Sequence, residues 1–544
     1  MPALAALVPA LLLIGGALLF LLPLPLLARY RRFVPLIANV FAVISLLVLA
    51  VGAREPVTLF EPSDILPALT LTLQWNNGFA LPLGLVLLFC LSARMLMGME
   101  YDPRLQTAGT LVVEAGALLL LAADNWTTVT AAWLVVELGL LAIPIAKGEP
   151  RERVARAFAW NLAALVAWLT GGMIAANEAS ALRLDEATLQ GTAALLIFLA
   201  CWIRTGLYPF QAAAPASADT FGVRVGVPFL LGGYLLTRLL AQLQGSVTLL
   251  SEMQLVVLLA FGISALLVVG QPHGADAFDW VLRAFAAPLL LLPFFFTSEV
   301  APAFAIWLTI GAFALASLIG LAWLWRAQPP RVPLTALVWI AALCVTAALP
   351  LTPAFTTRVG MLAASYATGF LALWLLLVAA MALILIPLWR EIFASRDVAP
   401  KAPTIFEYTA LACVLLPTLS VAVLPMFFAS PVSDAADTAL KLFAQAIMPT
   451  GSQWGAWIFL IAGLVVPLLA SFELARRWER YASFLPTRVS AILDLSGLSR
   501  AFDLLYRFVR ALLQRTLSIL EQPPIAWLIF LAIWVAVWLR GLGT

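Results

Sequence analysis

The sequence predicts an all-α fold, a polytopic transmembrane helical bundle with about 14 core spans, and three observations predict it. Of 544 residues, 63% are hydrophobic and 11% charged, with a mean hydropathy of +1.03. Apolar runs longer than the ~18 residues a helix needs to cross a bilayer recur along the chain. Two of these runs carry an arginine within a few residues of prolines that break a membrane helix. Arg204 lies in Leu199-Ala-Cys-Trp-Ile-Arg204-Thr-Gly-Leu-Tyr-Pro209-Phe, and Arg358 follows Leu349-Pro350-Leu-Thr-Pro353-Ala-Phe-Thr-Thr. A charge at membrane depth costs about 2.5–3.5 kcal/mol on insertion scales and marks a functional position by default. A broken helix beside it frees backbone polar groups, which must face protein or a wet cavity.

Taken in order, hydropathy gives about sixteen spans. The first, 3–28, is apolar from Ala3 to Leu27 without a basic leader and reads as a retained helix, too long for a signal-peptide core. Spans follow at 33–53, 77–97, 107–123 (which contains Glu114), 128–146 and 155–176. The seventh, 189–217, is broken near Pro209. Next come 222–243, 253–270, 279–297 and 301–326, then a second broken span at 332–363. The series continues with 367–389, 404–428 and 453–473. Residues 474–521 differ: they are Arg-rich, interrupted at Pro486 and Gly497, and amphipathic from about 500 to 520. Leu504, Leu505, Phe508, Leu512 and Leu513 fall on one side there, with Arg507, Arg510 and Arg515 interspersed. That pattern suits a helix lying at the cytoplasmic interface, either a clamp on neighbouring subunits or a plain connector. It turns at Pro523-Pro524 into a last span, 522–541.

Alternate loops differ in charge. One side carries Arg29, Arg31 and Arg32; Lys147, Arg151, Arg153 and Arg156; Arg326 and Arg331; Arg390, Arg396 and Lys401; and Arg476, Arg477 and Arg480. The other carries acidic loops around Glu55–Asp64, Glu178–Glu186 and Asp434–Asp437. The positive-inside rule makes the first side cytoplasmic and places the N-terminus outside, in a multi-pass protein of a bacterial inner membrane. A net charge of +3 spread over loops leaves no nucleic-acid footprint. Cys90, Cys201, Cys344 and Cys413 have no metal or redox spacing and read as small buried hydrophobes. With no phosphate loop and no catalytic triad, the expectation is no cofactor, no metal and no catalytic residue.

Four motifs within roughly 75–430 then carry a resemblance. They are Ala123-Asp124-Asn125-Trp126 with Trp133 and Glu137-Leu138; Arg204-Thr-Gly-Leu-Tyr-Pro209-Phe210-Gln211; Leu231-Gly232-Gly233-Tyr234-Leu-Leu-Thr-Arg238; and Ala348-Leu349-Pro350 through Phe355 to Arg358. In this order they resemble the antiporter-like membrane subunits of respiratory complex I (NADH:quinone oxidoreductase) and the large subunits of multisubunit cation/proton antiporters. The resemblance implies inverted repeats that place Arg204 and Arg358 in corresponding positions. It assigns proton transfer to a glutamate of the fifth span and to lysines or histidines of the seventh, eighth and twelfth.

This chain departs from that pattern. Arginine keeps its proton, whereas lysine loses and regains one readily when buried. The lysines here, Lys147, Lys401 and Lys441, lie near span ends or in loops, and Leu230 stands near the eighth-span lysine position. Anchoring on Glu-Leu makes Glu137 the family glutamate. Anchoring on Asp124-Asn125 puts that position at Leu134, one turn earlier on roughly the same face. Glu137 is expected to meet Arg204 as a buried ion pair, either working or merely neutralising. Glu114 either faces the bundle interior or pairs with Arg94. Arg283 is the second half's candidate counterpart to Glu137, with no evident acidic neighbour. Arg238 is expected to snorkel to the surface. Asp276 and Asp279 read as loop and capping residues, and His273 as a loop histidine.

The resulting prediction has six regions: N-terminal helices 1–106, a first antiporter-like repeat 107–243, a second repeat 253–392, C-terminal helices 404–473, an interfacial segment 474–521 and a last helix 522–544. The leading function is proton translocation by a membrane-arm subunit with no redox chemistry of its own, in an NADH:quinone oxidoreductase. Its proton pathway contains Glu137, Arg204, Arg358, Glu114 and Arg283, and its partners are other membrane subunits of a redox or antiporter complex and the bilayer. The alternatives are a non-conducting structural homologue, a cation/proton antiporter subunit, or a partner of an ion-driven uptake system.

Overall fold

The computed structural model describes residues 2–22, 33–52, 56–60, 70–75, 79–98, 104–179, 183–184, 189–214, 221–240, 247–271, 274–296, 301–327, 334–367, 370–394, 405–423, 454–478, 507 and 511. His273, nearly all of the predicted interfacial segment and the span at 522–541 lie outside these residues. The rest is a helical bundle, because a backbone in hydrocarbon must satisfy its own polar groups. Among the described residues ten helices are long and apolar enough to cross a membrane, and four shorter apolar ones accompany them. The protein is a polytopic all-α integral membrane protein.

The helices in chain order are α1 (Pro2–Leu21), α2 (Val34–Gly52), α3 (Ala80–Gly98), α4 (Arg104–Ala122), α5 (Trp126–Ala146), α6 (Arg151–Ala179), α7 (Gly191–Thr205), α8 (Val227–Leu239), α9 (Val247–Gly270), α10 (Gly274–Ala286), α11 (Leu292–Phe295), α12 (Ala301–Ala327), α13 (Leu334–Thr346), α14 (Ala354–Ala367), α15 (Leu371–Ala394), α16 (Ile405–Val423) and α17 (Trp454–Arg476). α12 is apolar all round and enclosed, packing on α3, α8, α13 and α14. The outer helices present Leu4, Val48, Met173 and Leu469 to the surrounding apolar phase.

Three local features depart from the sequence reading. The connection expected only as an acidic loop contains a two-stranded antiparallel ribbon, β1 (Val57–Phe60) with β2 (Leu71–Leu73), in register Val57 to Leu73. β2 also meets the turn between α4 and α5, where Gln74 N–H donates to Ala122 O (2.6 Å). The tenth span is distorted, with a 3-10 segment Ala287–Leu291 separating α10 from α11; Pro288 and Pro293 cannot donate the helical bonds there. The eighth span opens with a π-helical turn, Phe221–Gly226, before α8.

Candidate functional site: a buried charge pair at a broken helix

α5 begins where Asn125 caps it, its Oδ1 accepting from the Thr128 N–H (2.8 Å) and the Thr128 hydroxyl (2.6 Å). It then lies unusually close to α4. A Cβ at Gly139 would stand 2.7 Å from Gly109 O and Val113 N, and one at Gly109 would stand 2.9 Å from Gly139 O. Small residues at such contacts are how membrane helices approach closely. Together, cap and contact fix the depth and rotation of Glu137, which is 6% exposed while Leu134 is 45% exposed. The two candidate positions for the family glutamate therefore do not share a face; three residues turn a helix by 300°, and here that separates interior from exterior.

α7 ends in mid-bundle. Gly206 follows it with φ 65°, a left-handed conformation in which glycine meets no Cβ penalty. The chain then runs through a cis Tyr208–Pro209 peptide into a 3-10 turn, Gln211–Ala213. A helix end exposes carbonyls, and neighbouring side chains satisfy these. Arg283 of α10 donates to Gly206 O, to Ala214 O (2.8 Å) and to Gln211 O (3.4 Å). Asn161 of α6 donates to Ala213 O (2.8 Å), and Trp202 to Tyr208 O (3.0 Å).

Arg204 sits in the last turn of α7, where a cation faces the negative end of the helix dipole. It is fully buried and its Nη1 donates to Oε1 of Glu137 and to Oδ1 of Asn161 (3.3 Å). Trp133, one turn before Glu137, donates its indole N–H to the same Oε1 (3.2 Å), and its ring lies 5.0 Å from the guanidinium. The charges in the fifth and seventh spans thus meet in one cluster. Removing one partner of such a buried pair leaves the other uncompensated, at about 3–5 kcal/mol.

The remaining candidates lie elsewhere. Arg283 has an acidic neighbour after all: Asp279, one turn earlier in α10, pairs with it at 2.8 Å. Asp279 is therefore an ion-pair partner inside a helix, and not a loop or capping residue. Arg283 does not pair with Glu137; it reaches the backbone of the same broken helix. Glu114 is fully buried on α4, in the interior of the bundle. Its polar neighbour is Asn39 of α2.

Arg358 of α14 is 7% exposed; it donates to Leu377 O (2.9 Å) and has no carboxylate within ion-pair distance among the described residues. It follows the second break, where Ala348 (φ 50°) and Leu351 (φ 72°) take left-handed conformations. The expectation that Arg238 snorkels outward does not hold. It is 6% exposed and turns inward, donating to Ala123 O (2.6 Å) and Tyr234 Oη (3.2 Å), because the α4 C-terminus needs donors there. Leu230 is fully buried in an apolar setting.

Sequence reasoning also missed the Arg224–Glu149 ion pair, which joins the π-helical turn to the connection between α5 and α6. Lone residues of opposite charge 75 positions apart give no local signal. The Arg283–Asp279 pair did have one, the i, i+4 spacing on a helix.

No family model matches the chain, and no curated protein matches it. Among solved structures, a chain of the Mrp complex from Dietzia sp. DQ12-45-1b superposes with a TM-score of 0.72 at 18% identity, over 100% of this chain and 63% of that one. This protein thus spans somewhat less than two thirds of that chain's length. A chain of the membrane-bound sulfane sulfur reductase, an archaeal respiratory membrane complex, superposes with a TM-score of 0.62 at 14% identity, over 97% of this chain and 99% of that one. At these identities the likeness is one of fold: the bundle has the architecture found in chains of multisubunit membrane complexes.

Proposed function

We propose that this chain is an antiporter-like subunit of a multisubunit membrane complex and takes part in moving protons across the bilayer. The observation that carries the reading is the buried Glu137–Arg204 pair at the end of a helix broken in mid-bundle. Irregular backbone at membrane depth is tolerated where it lines a polar site, and a charge there costs too much to be incidental. Within the pair the roles divide. Arg204 holds its charge, so the carboxylate of Glu137 is the group that exchanges a proton, and Arg204, Asn161 and Trp133 hold it in place. Arg283 belongs to the same axis as the brace of the broken helix, with Arg358 and Glu114 as further buried charges in line with it. The assembly that fits best is redox-driven, of the NADH:quinone oxidoreductase type. A respiratory complex supplies a chain of matching length with the same fold, which supports that choice. A bacterial inner membrane with the N-terminus outside completes the proposal.

Proton flux through the intact complex with Glu137→Gln tests this reading. Loss of translocation is expected, and an unchanged proton yield per electron would overturn it. One observation favours a second reading, a subunit that keeps the fold but conducts nothing: the buried Leu230 leaves no base where the family carries its eighth-span lysine. In that case Arg204→Ala weakens assembly while the surviving complex pumps at full stoichiometry.

A further inference from the structure

Between α5 and α6 lies a cleft of about 40 Å³, with Glu137 and Asn161 at its inner end and Arg224 in its wall. That volume holds roughly two or three waters. Resting on the proton-transfer reading above, we infer that this cleft is a water-filled access path joining Glu137 to the basic face of the protein, and that the Arg224–Glu149 ion pair is its gate.

Four observations place the gate. First, Glu149 is held by the way α5 ends. Gly148 takes φ 66°, its N–H donates to Ile145 O (3.1 Å), and the Glu149 N–H donates to Pro144 O (3.0 Å), a double cap that fixes the next side chain in space. Second, Arg224 comes from the π-helical turn Phe221–Gly226, and such turns are rare and frequent at functional sites. Third, the two side chains meet at the surface end, 5% and 13% exposed, and Oε2 of Glu149 has no hydrogen-bond partner among the described residues. The carboxylate therefore has a free acceptor beside the cleft. Fourth, the connection that carries Glu149 is flanked by Lys147, Arg151 and Arg153.

The cleft wall is chemically suited to water. Pro144 lies inside α5 and donates no hydrogen bond to the carbonyl of Leu140 one turn back, and both residues line the space. That carbonyl and the Glu137 carboxylate give a short file of waters acceptors along its length, and the Arg224 guanidinium in the wall gives donors. From Glu137 to the end of α5 the helix rises about 13–14 Å, and two or three waters at hydrogen-bond spacing bridge about 8–11 Å of it. Opening the ion pair admits bulk water, and closing it isolates Glu137 on that side.

The test uses the complete complex in sealed membrane vesicles of each orientation. Ala157→Cys, in the cleft wall, is labelled with a membrane-impermeant thiol reagent; Val154→Cys serves as a second position. Labelling is expected from the basic face alone, and to accelerate about tenfold or more when Glu149→Gln is added, as it does if the pair holds the cleft shut by ~1.4 kcal/mol. Labelling from the opposite face, or at a rate blind to Glu149→Gln, overturns the inference. Gated labelling with unchanged proton flux in Glu137→Gln overturns the proposed function instead, and with it the role of the cleft in proton access.

Discussion

Replacing Arg283 by leucine should unlock the broken end of α7. Its guanidinium donates to Gly206 O and, at 2.8 Å, to Ala214 O, and it is 2% exposed. Leucine removes both donors and leaves two buried carbonyls unpaired, each costing about 1–3 kcal/mol, so the loss is ~2–6 kcal/mol. Cys201 offers a local probe, since it is fully buried on α7 a little over one turn before Gly206. Protection of that thiol against a soluble reagent measures how often the segment opens, and each ~1.4 kcal/mol changes the rate tenfold. Arg283→Leu should therefore raise labelling of Cys201 in the intact complex by about 30-fold or more. Asp279→Leu strips the buried guanidinium of its carboxylate but leaves the carbonyl bonds in place, so it should raise Cys201 labelling less than Arg283→Leu does. Equal effects from the two substitutions would mean that the ion pair, and not the cover given to the carbonyls, holds the break. A change of less than about twofold in Arg283→Leu would refute the bracing altogether.

Two further substitutions probe the backbone that positions the site. Ala348 is left-handed in the second break, its N–H donating to Val345 O (3.1 Å) and the Leu349 N–H to Cys344 O (3.1 Å); Ala348→Gly should stabilise the protein by about 1 kcal/mol in thermal unfolding of the detergent-solubilised complex, because the Cβ penalty disappears. Gly139→Ala places a Cβ 2.7 Å from backbone atoms of α4, so it should cost about 1–3 kcal/mol in the same measurement, and a neutral outcome would show that the two helices part without penalty.

The spans were legible because an apolar stretch of bilayer length has few other fates. The breaks were legible too, but for a reason that proline alone does not supply. Pro144, Pro387, Pro417 and Pro467 all sit inside continuous helices. What separates the two broken spans is a left-handed residue at the end of the helix, Gly206 or Ala348, and at the first break a set of donors for the freed carbonyls. Those donors, Asn161 and Arg283, come from other helices, so no local pattern announces them. Leu134 and Glu137 were indistinguishable in sequence because the choice between them depends on how α5 is rotated against α4. That rotation is set by the Gly109–Gly139 contact. Arg238 was misread because a cation near the end of a span usually seeks water, whereas here the C-terminus of a neighbouring helix offers carbonyls at a shorter reach.

The Arg283 strut has a mechanical consequence. It starts on α10 and ends on the backbone that immediately follows Arg204, so the seat of the Glu137–Arg204 pair is bolted to a helix far along the chain. The strut ties α10 directly to the backbone on which the charge pair rests, so the second half of the chain holds part of the first half's site in place.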